Sequence, residues 1–119
     1  MNTNIQRFAA MVNGRWQDHV SVNDRGMMYG DGLFETIRVV RGKCQLLDLH
    51  LQRLRVGLQV LNISCSMPRL EKWLCDYLEL LQQTERAVLK IIVTRGHSAR
   101  GYAPARPGET GVAAEPSVI

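Results

Sequence analysis

Residues 33–47 have the sequence LFETIRVVRGKCQLL, and this stretch decides the fold. Its first half, Leu33 to Val40, is rich in β-branched and aromatic residues and predicts a strand. Arg41-Gly42 is a turn signal, so Lys43 to Leu47 can return as the hairpin partner of that strand. Asp48 follows as a candidate N-cap. The stretch therefore predicts a β-hairpin that leads into a helix.

Two amphipathic helices and a further strand are predicted to follow the hairpin. In the first helix, leucines recur at three- and four-residue spacing, at Leu51, Leu54, Leu58 and Leu61. The second helix begins near Pro68, which suits a first turn. Its apolar face consists of Leu70, Trp73, Leu74, Tyr77, Leu78 and Leu81. The nearly continuous apolar run Ala87 to Val93, bounded by Arg95-Gly96, predicts a central strand.

Shorter elements are predicted on either side of this region. Asn13-Gly14 predicts a tight hairpin between Phe8 to Val12 and Arg15 to Gln17. Residues 97–111 are rich in glycine and proline and predict a loop. The last residues, 117–119, have the character of a strand, so we expect that the chain stops partway through a structural element. The order of elements predicts one α+β domain over residues 1–119, with an antiparallel-rich sheet and two amphipathic helices.

The composition is that of an ordinary globular protein. The 119 residues are 45% hydrophobic and 22% charged, which fits a single folded domain. No apolar run approaches the roughly 18 residues of a membrane-spanning helix, and residues 1–10 lack the apolar core of a secretion signal. We therefore expect a cytoplasmic protein with no membrane association. The net charge of +4 is dispersed, without a basic run or an aromatic platform, so no nucleic-acid partner is expected.

The three cysteines indicate neither a disulfide framework nor a metal site. Cys44, Cys65 and Cys75 are odd in number and widely spaced, and no CxxC pair occurs. We expect three reduced thiols and no bound metal.

Five short segments occur in order along nearly the whole chain. They are Asp24-Arg25-Gly26, residues 29–36 (YGDGLFET), residues 50–54 (HLQRL), residues 89–96 (LKIIVTRG) and Arg100-Gly101-Tyr102. Their order and spacing resemble the landmarks of the fold-type IV, or class IV aminotransferase-like, enzymes that depend on pyridoxal 5′-phosphate (PLP), and among them the aminodeoxychorismate lyases. The resemblance implies that residues 1–119 form the smaller N-terminal α+β domain of a two-domain enzyme, whose larger domain is absent from this chain.

The resemblance also implies that this chain holds no catalytic residue. In the family, the Schiff-base lysine for PLP belongs to the larger domain. Lys43 beside a turn and Lys72 on a polar helix face indicate solvated side chains. Lys90 lies in an apolar strand, where desolvation lowers a lysine pKa, but we expect it to turn toward solvent. The chain alone is therefore expected to be inactive.

Arg53 is the strongest candidate for binding the cofactor. The resemblance implies that the arginine of the His-x-x-Arg pattern binds the PLP phosphate, and a planar guanidinium can donate two parallel hydrogen bonds to phosphate oxygens. His50 lies one turn earlier on the same helix face. It either supports the phosphate or packs beneath it.

Phe34, Arg100 and Tyr102 are implied to face the carboxylates of a small anionic substrate. Arg100 and Tyr102 supply a cation and a hydroxyl donor on a glycine-bearing loop. In some relatives this loop crosses into the partner subunit's site, and a homodimer is expected. Phe34 also suits the core of its strand, which we consider the better expectation for its side chain.

Four charged residues near these motifs have a more ordinary expected role. We expect Asp31 to serve the glycine-rich turn and Glu35 to lie exposed on a sheet face. Arg38 and Arg95 lie on strands, where structural pairing is expected.

The implied reaction converts 4-amino-4-deoxychorismate into 4-aminobenzoate and pyruvate, a step of folate biosynthesis. The main alternative is a class IV aminotransferase acting on D-amino or branched-chain acids. Arg100-Gly101-Tyr102 favours the lyase. A third hypothesis is a non-catalytic dimerisation or binding module.

Overall fold

The computed structural model describes residues 10–97 and 117–119. Its helices and antiparallel strands confirm the α+β prediction. In chain order the elements are β1 (Met11–Val12), β2 (Arg15–Trp16), α1 (Arg25–Tyr29), β3 (Gly32–Val40), β4 (Lys43–Cys44), α2 (Leu47–Leu61), α3 (Met67–Leu80), β5 (Arg86–Thr94) and β6 (Ser117–Val118). One sheet is the β1-β2 pair, and the other has the strand order β4-β3-β5-β6. Residues 33–92 form one compact unit, and residues 1–32 with 93–119 form another.

Both predicted tight turns are confirmed. Asn13 and Gly14 have φ of 51° and 81°, and Arg41 and Gly42 have φ of 50° and 78°. Two consecutive residues at positive φ match the right-handed twist of the strands that they join. The strand after the second turn is shorter than predicted, because Leu46 also takes a positive φ of 56° and the helix begins at Leu47.

The two long strands each bury one face and expose the other. Buried side chains alternate along β3 at Glu35, Ile37 and Val39, and along β5 at Leu89 and Ile91. Arg41 N donates to Glu85 O at 3.1 Å, and Arg95 N donates to Asp31 O at 3.0 Å, so these neighbouring strands run antiparallel. The other side of the sheet, which we call the open face, carries the exposed side chains of Phe34, Thr36, Arg38, Val88 and Lys90. The central position predicted for residues 87–93 is therefore confirmed, but the strand is buried on one side only.

Both long helices are confirmed, with one difference at the start of α2. The cap of α2 is Leu46 in the left-handed conformation, so the prediction that Asp48 caps this helix is wrong. Asp48 instead lies in the first turn, where a carboxylate still stabilises the positive end of the helix dipole. Ser66 caps α3 by accepting from Arg69 N, and Pro68 lies in its first turn. Within residues 10–97 and 117–119, no helix is long and apolar enough to cross a membrane.

The short helix α1 was not predicted, because glycines at positions 26 and 30 disfavour helix. The Asp24 carboxylate accepts from Gly26 N at 2.8 Å and caps its start. Gly30, at φ 63°, ends it in the left-handed conformation. A side chain at position 26 would collide with Thr94, which explains the glycine there.

We expect Gly32→Ala to lower the free energy of unfolding by about 2 kcal/mol, clearly more than Gly30→Ala. A Cβ at Gly32 would lie 2.5 Å from Val93 O and 3.0 Å from Thr94 Cα, and these backbone atoms cannot yield without disturbing β5. At Gly30 no atom lies within 4 Å, so alanine meets only the strain of a positive φ, about 1 kcal/mol. Urea denaturation of the two variants measures the difference. Equal losses would contradict the close approach at Gly32.

Candidate functional site

A buried carboxylate on β3 holds two side chains of α2. The Glu35 side chain is 7% exposed. Arg53 donates from Nε to Glu35 Oε2 at 2.9 Å and from Nη2 to Oε1 at 2.8 Å. His50 Nδ1 lies 2.7 Å from the same Oε1. We call Glu35, His50 and Arg53 the Glu35 cluster.

The local sequence explains how this cluster forms. His50 and Arg53 are three residues apart on α2, so both side chains project from one helix face, as predicted. Glu35 alternates with Ile37 and Val39 on the buried side of β3. The expectation that Glu35 is exposed on a sheet face is therefore wrong, because the strand turns this position toward α2.

The cluster is electrostatically balanced around an ionised carboxylate. Hydrogen bonding from Arg53 is the main cause that lowers the pKa of Glu35; the bond from His50 also lowers it, and burial opposes both. The pairing raises the pKa of Arg53 in turn. At neutral pH the cluster therefore contains a fixed carboxylate–guanidinium pair.

Only one edge of the Arg53 guanidinium is occupied by Glu35. A guanidinium carries five N–H donors, and Glu35 accepts from the Nε and one Nη2 position. The Arg53 side chain is 73% exposed. Within the described part of the chain, no other hydrogen bond to Arg53 is formed, so its outer edge, the one between Nη1 and Nη2, remains available to a ligand. Two parallel donors on that edge suit the oxygens of a phosphate.

The open face carries an aromatic ring beside a cation. Phe34 is 58% exposed, so the expectation that it lies in the strand core is wrong. Lys90 Nζ lies 4.4 Å from the centroid of the Phe34 ring, within the range of a cation–π interaction. The expectation that Lys90 turns toward solvent is confirmed.

Arg38 adds a second positive charge to the open face. Its side chain is exposed, and among residues 10–97 and 117–119 it has no ion pair, so the structural pairing expected for it is absent there. The period-two pattern of residues 34, 36 and 38 was the available signal for this face. Arg100 and Tyr102 lie outside the described residues, and their substrate-binding role stays a prediction.

Comparison with known proteins decides the family. The sequence profile of the class IV amino-transferase family matches residues 32–116. The chain belongs to the class IV amino-transferase family. It is 36% identical over 93 residues to aminodeoxychorismate lyase of Vibrio harveyi, covering 78% of this chain and 34% of that protein. It is 37% identical over 89 residues to D-alanine aminotransferase of Staphylococcus aureus strain MSSA476, covering 70% of this chain and 30% of that protein.

A solved structure of a lyase also resembles this chain. The crystal structure of 4-amino-4-deoxychorismate lyase from Pseudomonas aeruginosa superposes with a TM-score of 0.79 at 41% identity, over 91% of this chain and 37% of that chain. The resemblance found in the sequence motifs is therefore confirmed. The chain spans about a third of the length of these relatives.

A second ionic cluster in this class IV family member is structural. Asp31 Oδ2 accepts from Arg25 Nε and from Arg95 Nε, each at 2.8 Å, and the Arg25 guanidinium lies 4.7 Å from the Tyr29 ring centroid. Burial raises the pKa of Asp31, but the hydrogen bonds from both arginines outweigh it, so the pKa is lowered. The structural pairing expected for Arg95 is confirmed. Asp31 does lie at the predicted turn, but its carboxylate also joins two arginines.

Burial disfavours the reactive thiolate form of two of the three cysteines. All three are free thiols, and burial raises the pKa of Cys44 and Cys65. A thiol with a raised pKa is a poor nucleophile at neutral pH. Within the described ranges, no group of three potential metal ligands was found.

Proposed function

We propose that this chain is the phosphate-binding N-terminal domain of a PLP-dependent enzyme, and that the complete enzyme is an aminodeoxychorismate lyase. The observation that carries the proposal is the exposed outer edge of Arg53, which is fixed against Glu35 and equipped with two donors. This donor set fits a phosphate monoester in charge and in geometry. The family membership supports the same cofactor.

The candidate site residues of this chain have separate tasks in the proposed enzyme. Arg53 binds the phosphate, and His50 supports it by contacting the Glu35 carboxylate at Oε1, the oxygen that also accepts from Arg53 Nη2. Phe34, Lys90 and Arg38 present an aromatic ring and two cations to a small anionic substrate. The substrate-binding role of Arg100 and Tyr102, which lie outside the described residues, is a separate part of the proposal. PLP, when bound, supplies a ring that withdraws electrons as a proton leaves the substrate. The lysine that holds it covalently belongs to the larger domain in this proposal, so the chain alone is inactive.

The proposed reaction releases pyruvate from 4-amino-4-deoxychorismate and leaves 4-aminobenzoate, as a step of folate biosynthesis. The product ring is aromatic, which favours the release. The partners in this proposal are the anionic substrate and a second copy of the enzyme in a cytoplasmic homodimer. The second candidate is a class IV aminotransferase, because the D-alanine aminotransferase of Staphylococcus aureus has about the same sequence identity to this chain as the lyase of Vibrio harveyi, 37% against 36%, over a slightly shorter match.

Product analysis of the complete enzyme, loaded with PLP, separates these candidates. We expect 4-amino-4-deoxychorismate to yield 4-aminobenzoate and pyruvate in equal amounts, at a rate at least tenfold above that of amino transfer from D-alanine to 2-oxoglutarate. One tenfold factor corresponds to about 1.4 kcal/mol of transition-state binding. Amino transfer without 4-aminobenzoate would establish the aminotransferase. If neither reaction is detected, a non-catalytic module is favoured.

A further inference from the structure

Glu35 occupies the inner edge of Arg53 and leaves the outer edge exposed. Both oxygens of the carboxylate are engaged, Oε2 with Arg53 Nε and Oε1 with Arg53 Nη2 and His50 Nδ1. We propose that Glu35 is a positioning residue, which fixes Arg53 so that a phosphate monoester meets a preformed pair of donors. This inference rests on the phosphate site of the proposed function and assigns the residue that builds it.

Glu35 restricts the conformational freedom of the Arg53 side chain. An exposed arginine on a helix samples many rotamers, and a ligand that binds it must restrict them. Here the guanidinium plane is already fixed by two hydrogen bonds to a carboxylate that is itself 7% exposed. The carboxylate is held in turn because His50, 17% exposed, also contacts its Oε1 at 2.7 Å. Binding a phosphate therefore costs little further ordering of Arg53.

The negative charge of Glu35 acts in the opposite direction, against phosphate binding. Glu35 carries a negative charge, and it contacts the same guanidinium that is proposed to bind the phosphate dianion. The two negative charges repel each other. If Glu35 acted only through its charge, its neutralisation would strengthen phosphate binding. If it acts by positioning Arg53, its neutralisation weakens phosphate binding in spite of the charge. The sign of the effect therefore identifies the role.

The test is a nuclear magnetic resonance titration of the 119-residue chain with pyridoxamine 5′-phosphate and, in parallel, with pyridoxamine. The two probes differ only in the phosphate, and neither carries an aldehyde that reacts with lysines. We expect Glu35→Gln to weaken binding of pyridoxamine 5′-phosphate roughly tenfold, the factor typical of one charge-assisted hydrogen bond, and to leave binding of pyridoxamine unchanged. Glu35→Asp keeps the charge but shortens the side chain, so it should weaken binding in the same direction.

A readout in the unaltered chain makes the test independent of whether the variants fold. The Nε–H resonance of Arg53 reports directly on its bond to Glu35. We expect this proton to remain slowly exchanging with solvent when pyridoxamine 5′-phosphate is added, because the phosphate uses the other edge. Faster exchange on binding would mean that the phosphate displaces Glu35, and this would overturn the positioning role.

The remaining outcomes separate this inference from the proposed function. Tighter binding by Glu35→Gln, or unchanged binding by a folded Glu35→Gln, overturns the positioning role while the phosphate site stands. If the unaltered chain does not distinguish the two probes, or if Arg53→Gln binds pyridoxamine 5′-phosphate as well as the unaltered chain does, the phosphate site itself fails, and the positioning role fails with it.

Discussion

We expect Arg53→Ala to weaken retention of PLP by the complete enzyme by about 100-fold, and Arg55→Ala to change it by less than about twofold. The larger figure corresponds to the loss of two charge-assisted hydrogen bonds from one guanidinium edge. Arg55 is a matched control, since it is an exposed arginine on the same helix. At about 100° per residue, its side chain projects roughly 200° around α2 from that of Arg53.

Retention is measured from the cofactor absorbance that stays with the protein after gel filtration at a series of PLP concentrations. Arg53→Ala also leaves the buried Glu35 carboxylate without its main donor, so thermal unfolding of each variant must be recorded alongside. Arg53→Lys separates the two effects, because a lysine keeps the charge but cannot donate in parallel from one planar edge. We expect it to fall between the arginine and the alanine. Equal losses in Arg53→Ala and Arg55→Ala would refute the phosphate assignment.

The fold was predictable where local patterns and tertiary packing agree. The turn at Arg41-Gly42 and the leucine spacing of α2 are local signals, and each was sufficient to predict its element. The start of α2 could not be predicted from such a signal. An aspartate is in general a good N-cap, but here Leu46 takes the left-handed conformation and the helix begins before Asp48. The helix α1 was missed for a related reason. Gly26 is required by close packing against Thr94, and Gly30 by the left-handed conformation that ends the helix, and no local pattern reveals the packing at Gly26.

The candidate site was predictable only for the residues that share a helix face. His50 and Arg53 were found together from their spacing and from the family resemblance. The sequence predicts an exposed Glu35, because a charged residue in an alternating strand is usually exposed. Its partners are 15 and 18 residues away along the chain, and only the packing of α2 against β3 brings them to it. Phe34 is adjacent to Glu35 and therefore points to the other face of the strand. Exchanging the two faces of β3 makes the prediction wrong for both residues.

We expect Asp31→Asn to lower the free energy of unfolding by about 3 kcal/mol, the lower end of the cost of removing one charge from a buried ion pair, because Asp31 is 16% exposed and this cluster is partly buried. Its carboxylate accepts from Arg25 and Arg95, whose side chains are 3% and 20% exposed. Asp76→Asn is the control. It removes a carboxylate at the same distance of 2.8 Å from a cation, Lys72, but that pair is exposed on α3 and is expected to contribute little. Chemical denaturation of both variants at pH 7 measures the difference, and similar losses would contradict the role of burial.

The pH dependence of this difference follows from the lowered pKa of Asp31. Its ordinary value is 3.8, and the hydrogen bonds from Arg25 and Arg95 outweigh the effect of burial and lower it in the folded state. A group whose pKa is lowered by folding stabilises the folded protein above its unfolded-state pKa, and that contribution is lost as the pH falls through the folded-state pKa. The unaltered chain should therefore be more stable than Asp31→Asn by a constant amount from pH 7 to about pH 5, and this advantage should shrink below pH 3.8. An advantage that stayed constant to pH 2 would contradict a pKa of Asp31 that folding lowers.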